Sequence, residues 1–200
     1  MSKDENLMIR WENLTFYLAP LALLSSSVLY IIAGDGMNNG VLGGFVQCAA
    51  MFLFIFPMMS ITRFIGHAIP LTALIMRILL ILGCVMGFTF GIDSVLNATQ
   101  PNGYTILEMK YTSTMLWTLG PIWPVCLGVT GLIGLFRKLL PTLPALLLAL
   151  AGFSFPAGRI PKIDFLYLLT DLLMIIAFAV LLRTIRKTSW DERGAPSLSY

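Results

Sequence analysis

Charge is scarce in this chain. Only 12% of its residues are Asp, Glu, Lys or Arg, about half of the roughly 25% usual in soluble domains. That is too little polar surface to cover a water-soluble globule. Cysteine is scarce as well. Cys48, Cys84 and Cys126 all fall inside apolar runs and no CxxC pair occurs, which argues against a disulfide framework or a structural zinc site. The single histidine, His67, has no partners nearby in sequence and is a poor candidate for metal binding or general-base catalysis. No Ser–His pair, paired-Asp motif or metal cluster stands at useful spacing. The expectation is therefore a chain that is not an enzyme and holds no metal or cofactor. A nucleic-acid partner is not expected either. The opening segment is not expected to be a cleavable signal but a retained first helix. Lys3 and Arg10 are mixed with Asp4, Glu5 and Glu12, the apolar run that follows is too long for a signal core, and no A-x-A site closes it.

What the chain does have is apolar length. Of its 200 residues 58% are hydrophobic and the mean hydropathy is +0.86. Six apolar runs stand at about 14–33, 41–62, 70–96, 111–136, 139–158 and 163–184, each near the roughly 20 residues that cross a hydrocarbon core as a helix. In lipid every backbone N–H and C=O must pair within the protein, and these runs are too long and too unbroken for barrel strands. The fold expected is an all-α transmembrane bundle of about six helices over 14–184. Residues 1–13 would form a cytoplasmic segment, and 185–200 a flexible, basic and polar tail. The links are short. Gly34 to Gly40 is rich in turn residues, and the longest loop runs from Asn97 to Lys110.

Lys and Arg set the orientation. Ten of the thirteen gather on one side: Lys3, Arg10, Arg63, Arg77, Arg137, Lys138, Arg183, Arg186, Lys187 and Arg193. Lys110, Arg159 and Lys162 fall on the other. The positive-inside rule then puts both chain ends in the cytoplasm. Trp11, Tyr17 and Trp190 would mark the inner interface, and Tyr30, Tyr104, Tyr111 and Tyr167 the outer one. The short loops and compact ends point to a bacterial plasma membrane.

Small residues mark helix crossings. Gly83, Gly87 and Gly91 recur every four residues in helix three; Gly128, Gly131 and Gly134 thin a face of helix four, and Gly40 and Gly44 do so at the start of helix two. Packing inside one subunit is the simpler reading, and a dimer face or pore lining the other. Prolines fall inside several spans. The densest cluster of breakers, Gly120-Pro121-Ile122-Trp123-Pro124, lies near mid-membrane and would kink helix four or break it so that freed backbone groups line a site. Tyr17-Leu-Ala-Pro20 and Thr118-Leu-Gly-Pro121 resemble each other over four residues only, too short to establish an inverted repeat.

Polar residues concentrate in the outer halves of the spans. Ser26 is near the middle of helix one; Gln47, Thr89 and Asp93 sit in the outer halves of helices two and three. In helix six Asp164, Tyr167 and Asp171 are spaced i, i+3, i+7 and share a face. Asp171 is the deepest acid. A lone charge at the centre of a spanning helix costs about 2.5–3.5 kcal/mol or more, so it should face the bundle and find donors there. The expected site is a polar cavity open to the outer side, with Asp171 near its floor and Asp93 at its mouth; Asp164, Tyr167, Gln47, Thr89 and Ser26 would complete it. A packing-only hydrogen-bond cluster is the competing reading. Arg77 sits roughly 10 Å inward of the centre of helix three, too far from Asp171 to pair directly, and should snorkel to the inner surface. Arg159 and Lys162 flank Pro161 in an outer loop, where they would pair with Asp164 at the rim or meet an anionic group.

Two functions follow. One is a small transporter or channel-like subunit, working as a homo-oligomer, that admits an ion or small molecule. The other is a non-catalytic accessory or assembly subunit of a larger membrane complex. The lipid bilayer is the partner in either case.

Overall fold

A computed structural model describes the backbone of residues 3–34, 38–100 and 105–194, and the side chains of residues 7–34, 38–100 and 105–186. Tyr104 lies outside the described residues, as do the side chains of Lys3, Lys187, Trp190 and Arg193.

The described residues form an all-α bundle without a strand. Its helices are α1 (Lys3–Ala33), α2 (Gly40–Gly66), α3 (Pro70–Thr99), α4 (Lys110–Leu119), α5 (Ile122–Phe136), α6 (Thr142–Arg159) and α7 (Asp164–Gly194), with a short 3₁₀ turn at Ile106–Glu108. Six stretches are long and apolar enough to cross a membrane: Leu7–Ala33, Gly40–Gly66, Pro70–Thr99, Lys110–Phe136 (α4 and α5 together), Thr142–Arg159 and Asp164–Arg186. The architecture is that of an integral membrane protein. Large apolar side chains such as Ile32, Leu71, Phe136 and Phe165 face outward over the whole girth, where lipid would cover them.

Helix ends differ from the apolar runs for physical reasons. The segment before residue 14 is already helical, because no glycine or proline interrupts it and the acids near its start suit a helix N-terminus. At the other end the helix continues through Gly194, so residues 185–194, expected as flexible tail, extend the last span; Gly194 is the first breaker after Pro161. The fifth span begins at Thr142 rather than 139, since Pro141 has extended backbone (ψ 149°) and caps α6. The link before it closes through Lys138, whose φ of 54° is left-handed, with the N–H groups of Leu139 and Leu140 donating to Gly134 O.

Neighbours pack as antiparallel hairpins, α2 on α1 and α3, α6 on α5 and α7, with α7 closing back on α1. Small residues set the closest crossings. A Cβ on Gly44 would lie 2.6 Å from Gly91 O, and one on Gly91 would lie 2.7 Å from Gly44 O. Gly131 abuts the backbone of Ala145 and Ala149, and Gly152 that of Gly128 and Pro124. A Cβ on Gly83 would meet Trp123, and one on Gly87 the sulfur of Met51. The glycine stripes are thus spent on contacts within the chain.

The bundle has two unlike ends. The basic end gathers the start of α1, the end of α7, the α2–α3 link and the α5–α6 link. Its core is apolar, with Phe16, Phe54, Met58, Ile61, Leu80, Leu127, Phe178 and Leu181 buried in one cluster. Phe178 is in ring contact with both Phe16 and Phe54. At its rim Glu12 and Arg63 approach to 3.6 Å. The opposite end carries the remaining links and a cavity.

Candidate functional site

All six spans contribute to one cavity of about 130 Å³ in the half away from the basic end. That is room for several waters or one ring-sized molecule. Tyr30 comes from α1, Gln47 and Met51 from α2, Gly83, Gly87 and Phe90 from α3, and Phe155, Pro156 and Arg159 from α6. Tyr167 of α7 and Asn39 of the α1–α2 link close two further sides.

The fourth wall is a helix break. α4 ends at Leu119 and α5 begins at Ile122. Gly120 still donates to Leu116 O at 2.7 Å, and Val125 reopens the ladder by donating to Pro121 O at 3.0 Å. Between them Pro121 and Pro124 have no N–H, so the carbonyls of Trp117 and Gly120 lose their i+4 donors. Both residues line the cavity. The break also lets α4 take its own direction. α5 packs along α6, whereas the contacts of α4 fall on the 3₁₀ turn and α3. Trp117 and Ile160 stand at the resulting opening between the fourth and fifth spans, and both are exposed.

Two polar systems flank the cavity. The first is an amide relay. Asn39 Nδ2 donates to Ser26 Oγ at 2.9 Å and to Gln47 Oε1. Ser26 Oγ in turn donates to Gly43 O at 3.0 Å, and Gln47 Nε2 donates to Gly87 O at 3.1 Å. The relay ties α1, α2 and α3 together at one depth and presents the two amides to the cavity.

The second system is charged. Arg159, the last residue of α6, turns into the bundle instead of outward. Its Nη2 donates to Ser27 Oγ at 2.6 Å and lies 3.6 Å from Asp171 Oδ2. Its guanidinium carbon stands 4.3 Å from the centroid of the Phe155 ring and 5.0 Å from that of Tyr167, a doubly aromatic cradle suited to a cation. Tyr167 Oη donates to Arg159 O at 3.2 Å, and its ring meets Tyr30 at 5.1 Å. The side chain of Asp171 is 0% exposed and that of Arg159 is 20% exposed. The Arg159 guanidinium is the principal support of the Asp171 carboxylate, with the Ser27 hydroxyl beside it. The cation faces the cavity; the acid stands behind it.

The residues singled out in the sequence divide accordingly. Gln47 and Tyr167 line the cavity. Ser26 is buried in the amide relay next to it, and Asp171 is buried behind Arg159. Asp164 is exposed at the start of α7. Asp93 anchors the following loop: its carboxylate accepts from Thr105 Oγ1 at 2.8 and 3.0 Å and from the Ile106 N–H. Thr89 donates to Val85 O within its own helix. It sits two residues from Gly87, about 200° around the helix at 3.6 residues per turn, hence off the cavity face. Arg77 donates through Nε to Thr62 Oγ1 at 3.0 Å, at the basic end. Arg159 does not pair with Asp164 at the rim, because its long stem reaches down to Asp171 instead. Asn39 and Tyr30 were not legible as site residues; the first read only as a turn former and the second only as an interfacial tyrosine. Among the described residues no group of three His, Cys, Asp or Glu side chains could hold a metal.

Comparison of the chain with protein-family models, with curated proteins and with solved structures finds no match.

Proposed function

We propose that this protein is a small membrane carrier that takes up an apolar or aromatic molecule bearing one anionic group. The observation that carries the reading is Arg159, turned inward to the cavity although it lies at a helix end from which it could snorkel to the headgroup layer. A guanidinium is costly to hold at membrane depth, and helix packing alone has no need of it. Aromatic walls, two amides and one cation form a surface for a ring with an acidic substituent. The mid-span break supplies a flexible wall of the kind carriers place at their binding sites. One chain encloses the site, so binding needs no second copy. In this reading both termini are cytoplasmic, the cavity opens toward the outside, and the host is a bacterial plasma membrane.

The alternative role, an accessory subunit of a larger complex, rests on the short links and the lack of a soluble domain together with the glycine stripes; those glycines meet side chains and backbone of the same chain, so they favour neither role.

The test uses benzenesulfonate, an aromatic anion that stays ionised at all working pH values. Trp117 and Trp123 line the cavity, so the intrinsic fluorescence of the full chain in nanodiscs reports occupancy. A saturable change is expected with benzenesulfonate, absent with benzyl alcohol and lost in Arg159→Gln. No saturable change with the anion would overturn the reading.

A further inference from the structure

We infer that the cavity takes its anion together with one proton, and that Asp171 is the group that accepts it. The inference rests on the anion-binding reading and adds its coupling.

With Asp171 ionised, the guanidinium and the carboxylate form a pair of zero net charge, 3.6 Å apart. Asp171 is buried, and the groups that act on its carboxylate are Arg159 first and the Ser27 hydroxyl second. Arg159 is therefore its main electrostatic partner. The same guanidinium is the cation that the cavity offers to a ligand. An arriving anion must draw Arg159 toward the cavity, and every step of that movement leaves the carboxylate with less compensation. An unpaired charge in so apolar a place is strongly disfavoured. Taking a proton from cavity water removes it. One O–H bond forms at Asp171, the anion replaces the carboxylate as partner of Arg159, and the net charge of the site is zero before and after. Nothing is oxidised or reduced. Ser27, which accepts from Arg159 at 2.6 Å, stands beside Asp171; its hydroxyl can donate to the carboxylate and accept from the protonated acid.

The surroundings leave Asp171 as the group that changes charge. α7 packs on α1 and α6. From α6 the facing charged group is Arg159, and from α1 the titratable one is Tyr30. On α7 itself there are Tyr167 and the exposed Asp164. Asp164, one helical turn outside Tyr167, faces solvent and has no part in the pair.

Benzenesulfonate cannot itself carry the proton, so any uptake belongs to the protein. The full chain in nanodiscs is titrated with it in weak buffer containing a pH indicator, and its affinity is measured from pH 5 to 8. Uptake approaching one proton per anion is expected. Affinity should fall about tenfold per pH unit wherever the empty site holds ionised Asp171. Asp171→Asn should bind with pH-independent affinity and no uptake, while Asp164→Asn should behave as the parent. If Asp171→Asn does not fold, the uptake by the parent and by Asp164→Asn still decides. Anion binding without proton uptake and with a flat pH profile would overturn the coupling and leave the carrier reading standing. No anion binding at any pH would overturn both.

Discussion

The two halves of the bundle are built from the same six spans and differ in what lies between them. At the basic end Phe54, Met58, Leu80, Leu127 and Phe178 fill the space, and an arginine there, Arg77, bonds to a neighbouring threonine hydroxyl at 3.0 Å. At the other end the fourth span breaks, α4 diverges from α6, and the gap holds Arg159 over a buried acid. The difference teaches where a membrane helix bundle can place polarity. Tight crossings through Gly44, Gly91, Gly131 and Gly152 hold the scaffold, so one end can remain open without the spans separating. At the open end Asn39, Gln47 and Ser26 are tied in one hydrogen-bonded relay and Arg159 is paired with Asp171, as depth in lipid demands.

Substitutions can break this contrast. The largest effect is expected from Phe178→Ala in the apolar half, on the order of 3–5 kcal/mol in reversible unfolding in mixed micelles. Phe90→Ala, whose ring already borders the cavity, should cost clearly less; equal losses would mean that the two halves are packed alike. Next comes Gly152→Ala. Its Cβ would meet the backbone of Gly128 and Pro124, which cannot turn aside, so a loss of about 1–3 kcal/mol is expected. Gly66→Ala is the matching control, since its Cβ would lie at an ordinary 3.5 Å from the Cβ of Ala73, and its stability should stay within about 0.5 kcal/mol of the parent. A smaller effect is expected from Pro121→Ala. Restoring the N–H at the break should straighten the fourth span and narrow the opening, read as reduced quenching of Trp117 by acrylamide with little change in stability. Unchanged quenching would show that the break does not depend on this proline.

The spans and the uneven distribution of polarity were legible because both follow from composition along a line. Six runs long enough to cross lipid, the breaker cluster at residues 120–124 and the concentration of polar groups in one set of half-spans need no tertiary information. Asp171 was identifiable by depth alone. Its partner was not. Arg159 sits in sequence beside Pro161 and Lys162, which reads as an exposed rim, and only the reach of its side chain back along the α6–α7 hairpin brings it to Asp171. Asp93 shows the reverse failure. Depth placed it at a cavity mouth, but the chain returns after α3 with Thr105 and the Ile106 N–H at hand, and a carboxylate takes the nearest donors. The expected flexible tail failed for a simpler reason: polar composition does not end a helix, and no breaker precedes Gly194.

A double-mutant cycle joining Arg159→Gln and Asp171→Asn tests the organisation of the open half most directly, with unfolding free energy in mixed micelles as the readout. Each single change should destabilise the protein, and the pair together should cost less than the two added, by a coupling of about 1–3 kcal/mol. Strictly additive losses would contradict the account, because they would mean that the inward arginine and the buried acid do not sustain one another.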